Sequence, residues 1–409
     1  MRKITAFFII FNCSIQLIKA QVRTPAQQLM LTNEDSLNAG LSSSRTVLSG
    51  YGSAFYQRDS KQKTASLNLE RAVLFVGHQF NSKISFFSEV EIENAKVDAS
   101  GGEVALEQAY LKFNLNSSQY ITAGLFLPRI GLLNENHLPV NFNGVERPIV
   151  EQLIIPSTWR ELGIGFYGRS KKLPLNYSVA IFNGLSSANF KHGTGLRDGR
   201  FEGRNATANN LAITAAVQYY YKDFTFQVSG YAGGSNGLNK LRSDSLQLSS
   251  GIFGMPVYLA EADFRWAKNG WSAKALGSFI SFNNATTINK AFANNISKSM
   301  YGAYAEIGYD LFTGNTKMAN QQLIAFARFE KLDLNASIPS NAIYDGTLKQ
   351  QHIIAGFSYL PIQNVVIKLD VRIQHTGAEN PALVINPSPV RVPYQQNNSF
   401  INLGIGYSF

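Results

Sequence analysis

The chain has 409 residues, 45% hydrophobic and 16% charged, with a formal charge of +10 and one cysteine, Cys13. No stretch after the N-terminus reaches 18 consecutive apolar residues, which excludes a helical membrane protein. The positive excess is too dispersed to form a nucleic-acid surface.

Arg2 and Lys3 precede an almost wholly apolar run from Ile4 to Leu17, and Ala20 precedes Gln21. This pattern predicts an export signal over residues 1–20, cleaved after Ala20. The run is short of the roughly 20 residues of a membrane anchor, and Asn12 before Cys13 is a poor match to lipoprotein processing. Cleavage removes Arg2, Lys3 and Lys19, leaving +7, and takes away the one cysteine, so the mature chain has no thiolate chemistry. His78, His137, His192, His352 and His375 show no HxxxH or HExxH spacing, so no metal and no cofactor is expected. Residues 21–44, polar and turn-rich around QQLMLTNEDSL, read as a short periplasmic lead-in, too small for a plug domain.

From Arg45 to Phe409 the hydrophobic period is 2, the mark of strands with two unlike faces. In NVVIKLDVRIQ, Val365, Ile367, Leu369, Val371 and Ile373 share one face, opposite Val366, Lys368, Asp370, Arg372 and Gln374. Sixteen such segments are expected, at 45–57, 66–80, 82–94, 103–116, 119–128, 161–170, 175–184, 209–222, 224–234, 257–268, 270–282, 300–312, 320–334, 350–360, 364–376 and 399–409. Their connectors alternate between tight turns and longer polar stretches, which is the arrangement of an outer-membrane barrel with short periplasmic turns and long external loops. The expected fold is therefore all-β, a 16-stranded antiparallel transmembrane barrel in the outer membrane over residues 45–409, with both termini on the periplasmic side. FINLGIGYSF, ending on Phe409, suits a terminal barrel strand, and tyrosines such as Tyr219, Tyr220 and Tyr221 near strand ends suit aromatic girdles in contact with lipid. A soluble β protein also alternates, but its turns have no reason to sort into one short and one long set.

Sixteen strands enclose more space than side chains fill, so an aqueous channel for small hydrophilic solutes or ions is the expected function. The third long connector, 129–160, carries Leu138, Val140, Phe142, Val145, Ile149, Val150, Leu153, Ile154 and Ile155, and is too apolar to stand in water. It is expected to fold into the lumen and narrow it, with Arg129, Glu146, Arg147, Glu151, Arg160 and Glu161 as candidate constriction residues. Pro139, Pro148 and Pro156 keep it out of strand pairing.

GLFLPRIG at 124–131, VERP at 145–148 and IIPSTWRELGIGFYG at 154–168 resemble the phosphate-selective porin O and P type. The resemblance implies a general or anion-preferring diffusion channel, often trimeric. The charges themselves are mixed. Segment 128–161 sums to −1, from three arginines and four glutamates. The expected lumen wall carries Lys83, Lys112, Arg265, Lys274, Arg328, Lys368 and Arg372 against Glu89, Glu91, Glu93, Glu261, Asp263, Glu306, Asp310, Glu330 and Asp370. The plainly basic connector KHGTGLRDGRFEGR reads as a solvated loop.

GIGFYG matches GxGxxG, but Gly163, Gly165 and Gly168 lie within an alternating strand that runs into a turn, so they are expected to make room for loop packing and not to bind a nucleotide. No histidine is spaced with a serine and an acid for hydrolysis, so no enzyme is expected; an adhesin or purely structural barrel is the rival reading, since long external loops serve adhesion equally well.

Overall fold

A computed structural model describes residues 22–31, 45–98, 101–384 and 392–409. The expected signal peptide lies outside the described residues. Sixteen strands form: β1 (Thr46–Asp59), β2 (Thr64–Gln79), β3 (Ile84–Asp98), β4 (Gly101–Asn116), β5 (Gln119–Phe126), β6 (Glu161–Arg169), β7 (Leu175–Asn183), β8 (Leu211–Tyr221), β9 (Phe224–Gly234), β10 (Pro256–Lys268), β11 (Trp271–Phe282), β12 (Ser299–Asp310), β13 (Gln322–Ser337), β14 (Lys349–Ile362), β15 (Val365–Thr376) and β16 (Asn397–Ser408). Each pairs antiparallel with its sequence neighbour, and β1 closes on β16. Closure leaves no edge strand, so the wall's backbone groups find partners within the sheet where lipid offers none. No described helix is long and apolar enough to cross a membrane.

Most boundaries fall within a few residues of the expected ones. The clearest difference is the β3–β4 hairpin, whose strands run on to Asp98 and Gly101 through a register shift after Glu93, where a connector at 95–102 is expected. Asn269 and Gly270 both adopt positive φ, 51° and 84°, in the two-residue turn between β10 and β11. Asn-Gly is the pair that tolerates this conformation best in a hairpin.

The two faces separate as the alternation requires. On β15, Val366, Lys368 and Asp370 are buried inward, while Ile367, Leu369, Val371 and Ile373 are exposed on the outer surface. Each outward Leu or Ile keeps roughly 1.5–3 kcal/mol of transfer free energy in lipid that it would forfeit in water.

Two segments pack against the inner wall. One is 127–160, between β5 and β6. The other is the described part of the lead-in, with helix α1 (Pro25–Leu31). Expected in the periplasm, it instead lies against β1–β4: Ala26 N donates to Ser49 Oγ at 3.4 Å, and Lys112 Nζ donates to the Met30 carbonyl. The cause is apolar. Ala26 is buried with Tyr51, Val73, Phe75 and Leu138, and Leu29 and Met30 pack against a cluster that includes Phe87 and Tyr110.

Candidate functional site

Segment 127–160 leaves β5, reaches the wall formed by β12–β16 and returns to β6. Its buried backbone amides need acceptors, since an unpaired buried N–H costs about 1–3 kcal/mol. Wall carboxylates supply them. Val145 N donates to Asp370 Oδ2 at 2.6 Å, and Val150 N donates to Glu330 Oε2 at 3.0 Å. Asn143 Nδ2 donates to Glu306 Oε1 at 2.9 Å, and Arg328 Nη1 donates to Asn143 O at 3.1 Å. Wall glycines let the loop come close: a Cβ on Gly406 would meet Pro139 at 2.5 Å, and one on Gly302 would meet Ile154 at 2.8 Å. Gly163, Gly165 and Gly168 do not serve this purpose. The atoms facing them include the rings of Phe182, Tyr167 and Tyr177, so these glycines make room for aromatic side chains of the sheet itself.

Where the loop meets β13–β16 a cavity of about 10 Å³ is lined by Glu146, Arg147, Arg328, Glu330, Asp370 and Arg372. That is about the room one water needs. An external vestibule of about 510 Å³ is lined by Asp59, Gln374, Tyr394, Asn398 and Phe400, among others. Arg372 links the two spaces, with its guanidinium 4.1 Å from the Phe400 ring centroid.

Most acids around the cavity are engaged. Glu306 pairs with Lys274 at 3.1 Å and Arg328 at 3.1 Å, and Glu330 with Arg328 at 2.9 Å. Glu146 pairs with Arg372 at 3.2 Å. Asp370 accepts from Val145 N and, at 2.8 Å, from Asn402 Nδ2. Arg147 is buried and makes no ion pair with a described residue. Burial, followed by the nearby charge of Arg71, pulls its pKa below the ordinary arginine value.

The candidate constriction residues therefore divide. Glu146 and Arg147 line the cavity; the other four brace the loop. Glu151 accepts from Leu132 N and Leu133 N, both at 2.8 Å, and from Tyr304 Oη at 2.6 Å, which ties the loop to itself and to β12. Burial raises its pKa, against the pull of those donors. Arg129 pairs with Glu135 at 2.5 Å and lies over the Tyr167 ring. Arg160 reaches Glu202 at 3.4 Å and Glu103 at 3.5 Å, and Glu161 accepts from Asn183 Nδ2 at 2.8 Å.

Of the expected wall cations, Arg328 and Arg372 line the cavity. Lys274 sits behind them on Glu306, and Lys368 Nζ stands 3.6 Å from the Phe142 ring centroid. Lys112 holds α1, and Arg265 lies 3.6 Å from Asp263. Lys83 is exposed in the β2–β3 turn and is not on the wall. The basic connector is only partly solvated. Lys191 is exposed, but Arg197 donates to Gln152 O at 3.2 Å, and Arg200 to Thr158 O at 3.2 Å, so two of its cations hold carbonyls of the loop beneath.

One cluster has no signal in the sequence. His137, from the loop, places Nε2 2.8 Å from Tyr51 Oη, 3.3 Å from Glu89 Oε1 and 3.4 Å from Glu107 Oε2. Burial opposes the imidazolium, but the hydrogen bonds and charges of Glu107 and Glu89 outweigh it and lift the His137 pKa to about 9. Its four members come from β1, β3, β4 and the loop, too far apart in sequence for any spacing rule to join them.

The family model for phosphate-selective porin O and P matches residues 47–384. An uncharacterized protein of Aquifex aeolicus (strain VF5) is 30% identical over 338 residues, covering 79% of this chain and 74% of that protein. Among solved structures, the outer membrane channel DcaP of Acinetobacter baumannii superposes with a TM-score of 0.54 at 12% identity, over 89% of this chain and 97% of that one. The anion-selective porin from Comamonas acidovorans gives 0.52 at 10% identity, over 89% and 99%. At these identities the structures share the fold alone. The match of the family model over most of the barrel carries the assignment: the chain belongs to the phosphate-selective porin O and P family of outer-membrane porins.

Proposed function

We propose that this porin passes small anions, and that they are selected at the cavity beside Arg147. The observation that carries the reading is the pairing pattern. The cavity lining holds three acids and three arginines, but its acids are bonded to loop amides or to neighbouring cations, whereas the buried Arg147 guanidinium makes no ion pair with a described residue. A cation left over at the cavity favours anions there, and Arg372 and Arg328 add further N–H donors of the kind that phosphate oxygens accept. In this reading residues 1–20 are the export signal, 129–160 is the constriction loop, and the barrel assembles as a homotrimer, as the Vibrio cholerae OmpT structure described as a trimer form does.

The chain is a channel rather than an enzyme. The match of the porin family model over residues 47–384 supports this.

The test is the reversal potential of the purified protein in a planar bilayer under a KCl gradient, followed by addition of phosphate. Anion preference, with phosphate competing against chloride current, is the expected result. Cation preference would refute selection at Arg147. No conductance at all would favour the adhesin or structural reading.

A further inference from the structure

We propose that His137, Glu89 and Glu107 bind one divalent cation of the zinc type, with Tyr51 at the fourth corner, and that this cation fastens the constriction loop to the wall. Each of His137, Glu89 and Glu107 offers one ligand atom, and these atoms all lie within 4.8 Å of one another. Nε2 lies 3.3 Å and 3.4 Å from the two carboxylate oxygens. Tyr51 Oη is 2.8 Å from Nε2, 3.0 Å from Glu89 Oε1 and 3.4 Å from Glu107 Oε2. Tetrahedral zinc with bonds of about 2.0–2.1 Å sets its ligand atoms about 3.3–3.4 Å apart, so these atoms stand close to the corners such an ion requires.

A second set of contacts fixes the ligands from outside. His137 Nδ1 lies 3.3 Å from the Asn134 carbonyl, an acceptor only, which holds the proton on Nδ1 and turns the Nε2 lone pair toward the carboxylates. Gln108 Nε2 donates to Glu89 Oε2 at 2.7 Å, and Thr158 Oγ1 donates to Glu107 Oε1, so each carboxylate has its other oxygen occupied and one oxygen aimed at the centre. An imidazole backed by a carbonyl, beside carboxylates that are themselves hydrogen-bonded, is the outer-shell arrangement of metal sites.

Charge points the same way. Glu89 and Glu107 are both 0% exposed, and one imidazolium balances only one of them. Arg160 reaches Glu107 at 3.9 Å but is shared with Glu103 and Glu202. A divalent ion neutralises both carboxylates and displaces the Nε2 proton. Four donors including an imidazole suit zinc and its first-row neighbours better than calcium, which takes six to eight oxygens. The ion would join β1, β3 and β4 to the loop nine residues before Glu146.

The test uses the full mature chain in detergent, stripped with chelator and titrated with ZnCl2 by calorimetry, with Co2+ as a spectroscopic probe. One zinc per chain and tetrahedral cobalt absorption are expected. His137→Gln should weaken binding about 100-fold or more, and Thr158→Val, which removes only an outer contact, about 10- to 100-fold. Asp244→Asn, on an external loop, should leave binding unchanged. If His137→Gln does not fold, Thr158→Val decides. Absence of saturable one-to-one binding by the folded wild type, or wild-type affinity in the deciding variant, overturns the proposal. The measurement needs no bilayer, so its failure would leave the anion reading untouched.

Discussion

Glu146 Oε2 lies 3.2 Å from Arg372 Nη2, while Arg147, the next residue in the chain, makes no ion pair with a described residue. Adjacent opposite charges on one loop thus have different fates: the acid pairs with the wall, and the base lines the cavity without an ion pair to a described residue. In the proposed function, selectivity follows from that asymmetry, not from the sum of charges.

Arg147→Ala should shift the reversal potential toward cations. One charge acting at about 4 Å in a watery pore is worth about 1 kcal/mol, or about fivefold in the permeability ratio. Bi-ionic measurements on the variant check this, and an unchanged ratio would remove Arg147 from the selective position.

Glu146→Gln should act in the opposite sense. Losing the acid frees Arg372 without disturbing the wall, because the substituted amide keeps a carbonyl oxygen for Gln57, which donates to Glu146 Oε2 at 3.2 Å. Chloride permeability relative to potassium should rise by a similar factor, and a fall would contradict the assigned pairing.

Glu151→Leu removes the acceptor of two loop amides and the Tyr304 hydroxyl. With three donors left buried, the loop should be destabilised by about 3 kcal/mol or more, while the barrel wall keeps its own hydrogen bonds. Limited proteolysis within 127–160 should speed up, and circular dichroism of the folded barrel should stay the same.

Deleting residues 22–31 behind an intact export signal should widen the path along β1–β4. A helix with its side chains is about 10 Å across, so single-channel conductance should rise by about twofold or more. Equal conductance would mean that α1 lies beside the path and not in it.

An acid-sensitive contact joins two external loops. Asp345 Oδ2 faces His192 Nε2 at 3.0 Å, and its other oxygen accepts from Thr347. Burial pushes the Asp345 pKa up, but the hydrogen bonds from Thr347 and His192 prevail and hold it below the ordinary aspartate value. A depressed folded pKa gives stability that is present above the unfolded value and lost as pH falls through the folded one. The contact should therefore persist from neutrality to about pH 4 and loosen below it, as hydrogen exchange in 338–348 would show, and Asp345→Asn should remove that pH dependence.

The sequence by itself determined the barrel. A strict two-residue period in segments such as NVVIKLDVRIQ and FINLGIGYSF leaves one face for lipid and one for the lumen, and alternating connector lengths fix which end is which. It also marked 129–160 as an insert too apolar for water, because composition is a local property. What the lumen does with its charges was decided only by tertiary structure. Glu151 and Arg147 look alike as loop charges, yet one closes over amides of its own loop and the other is left beside the cavity. The inward packing of α1 and the His137 cluster were equally hidden, since their partners come from β1 to β4 and the third loop. Pairing energies depend on distance in space, and a closed barrel brings together residues that the chain holds more than a hundred positions apart.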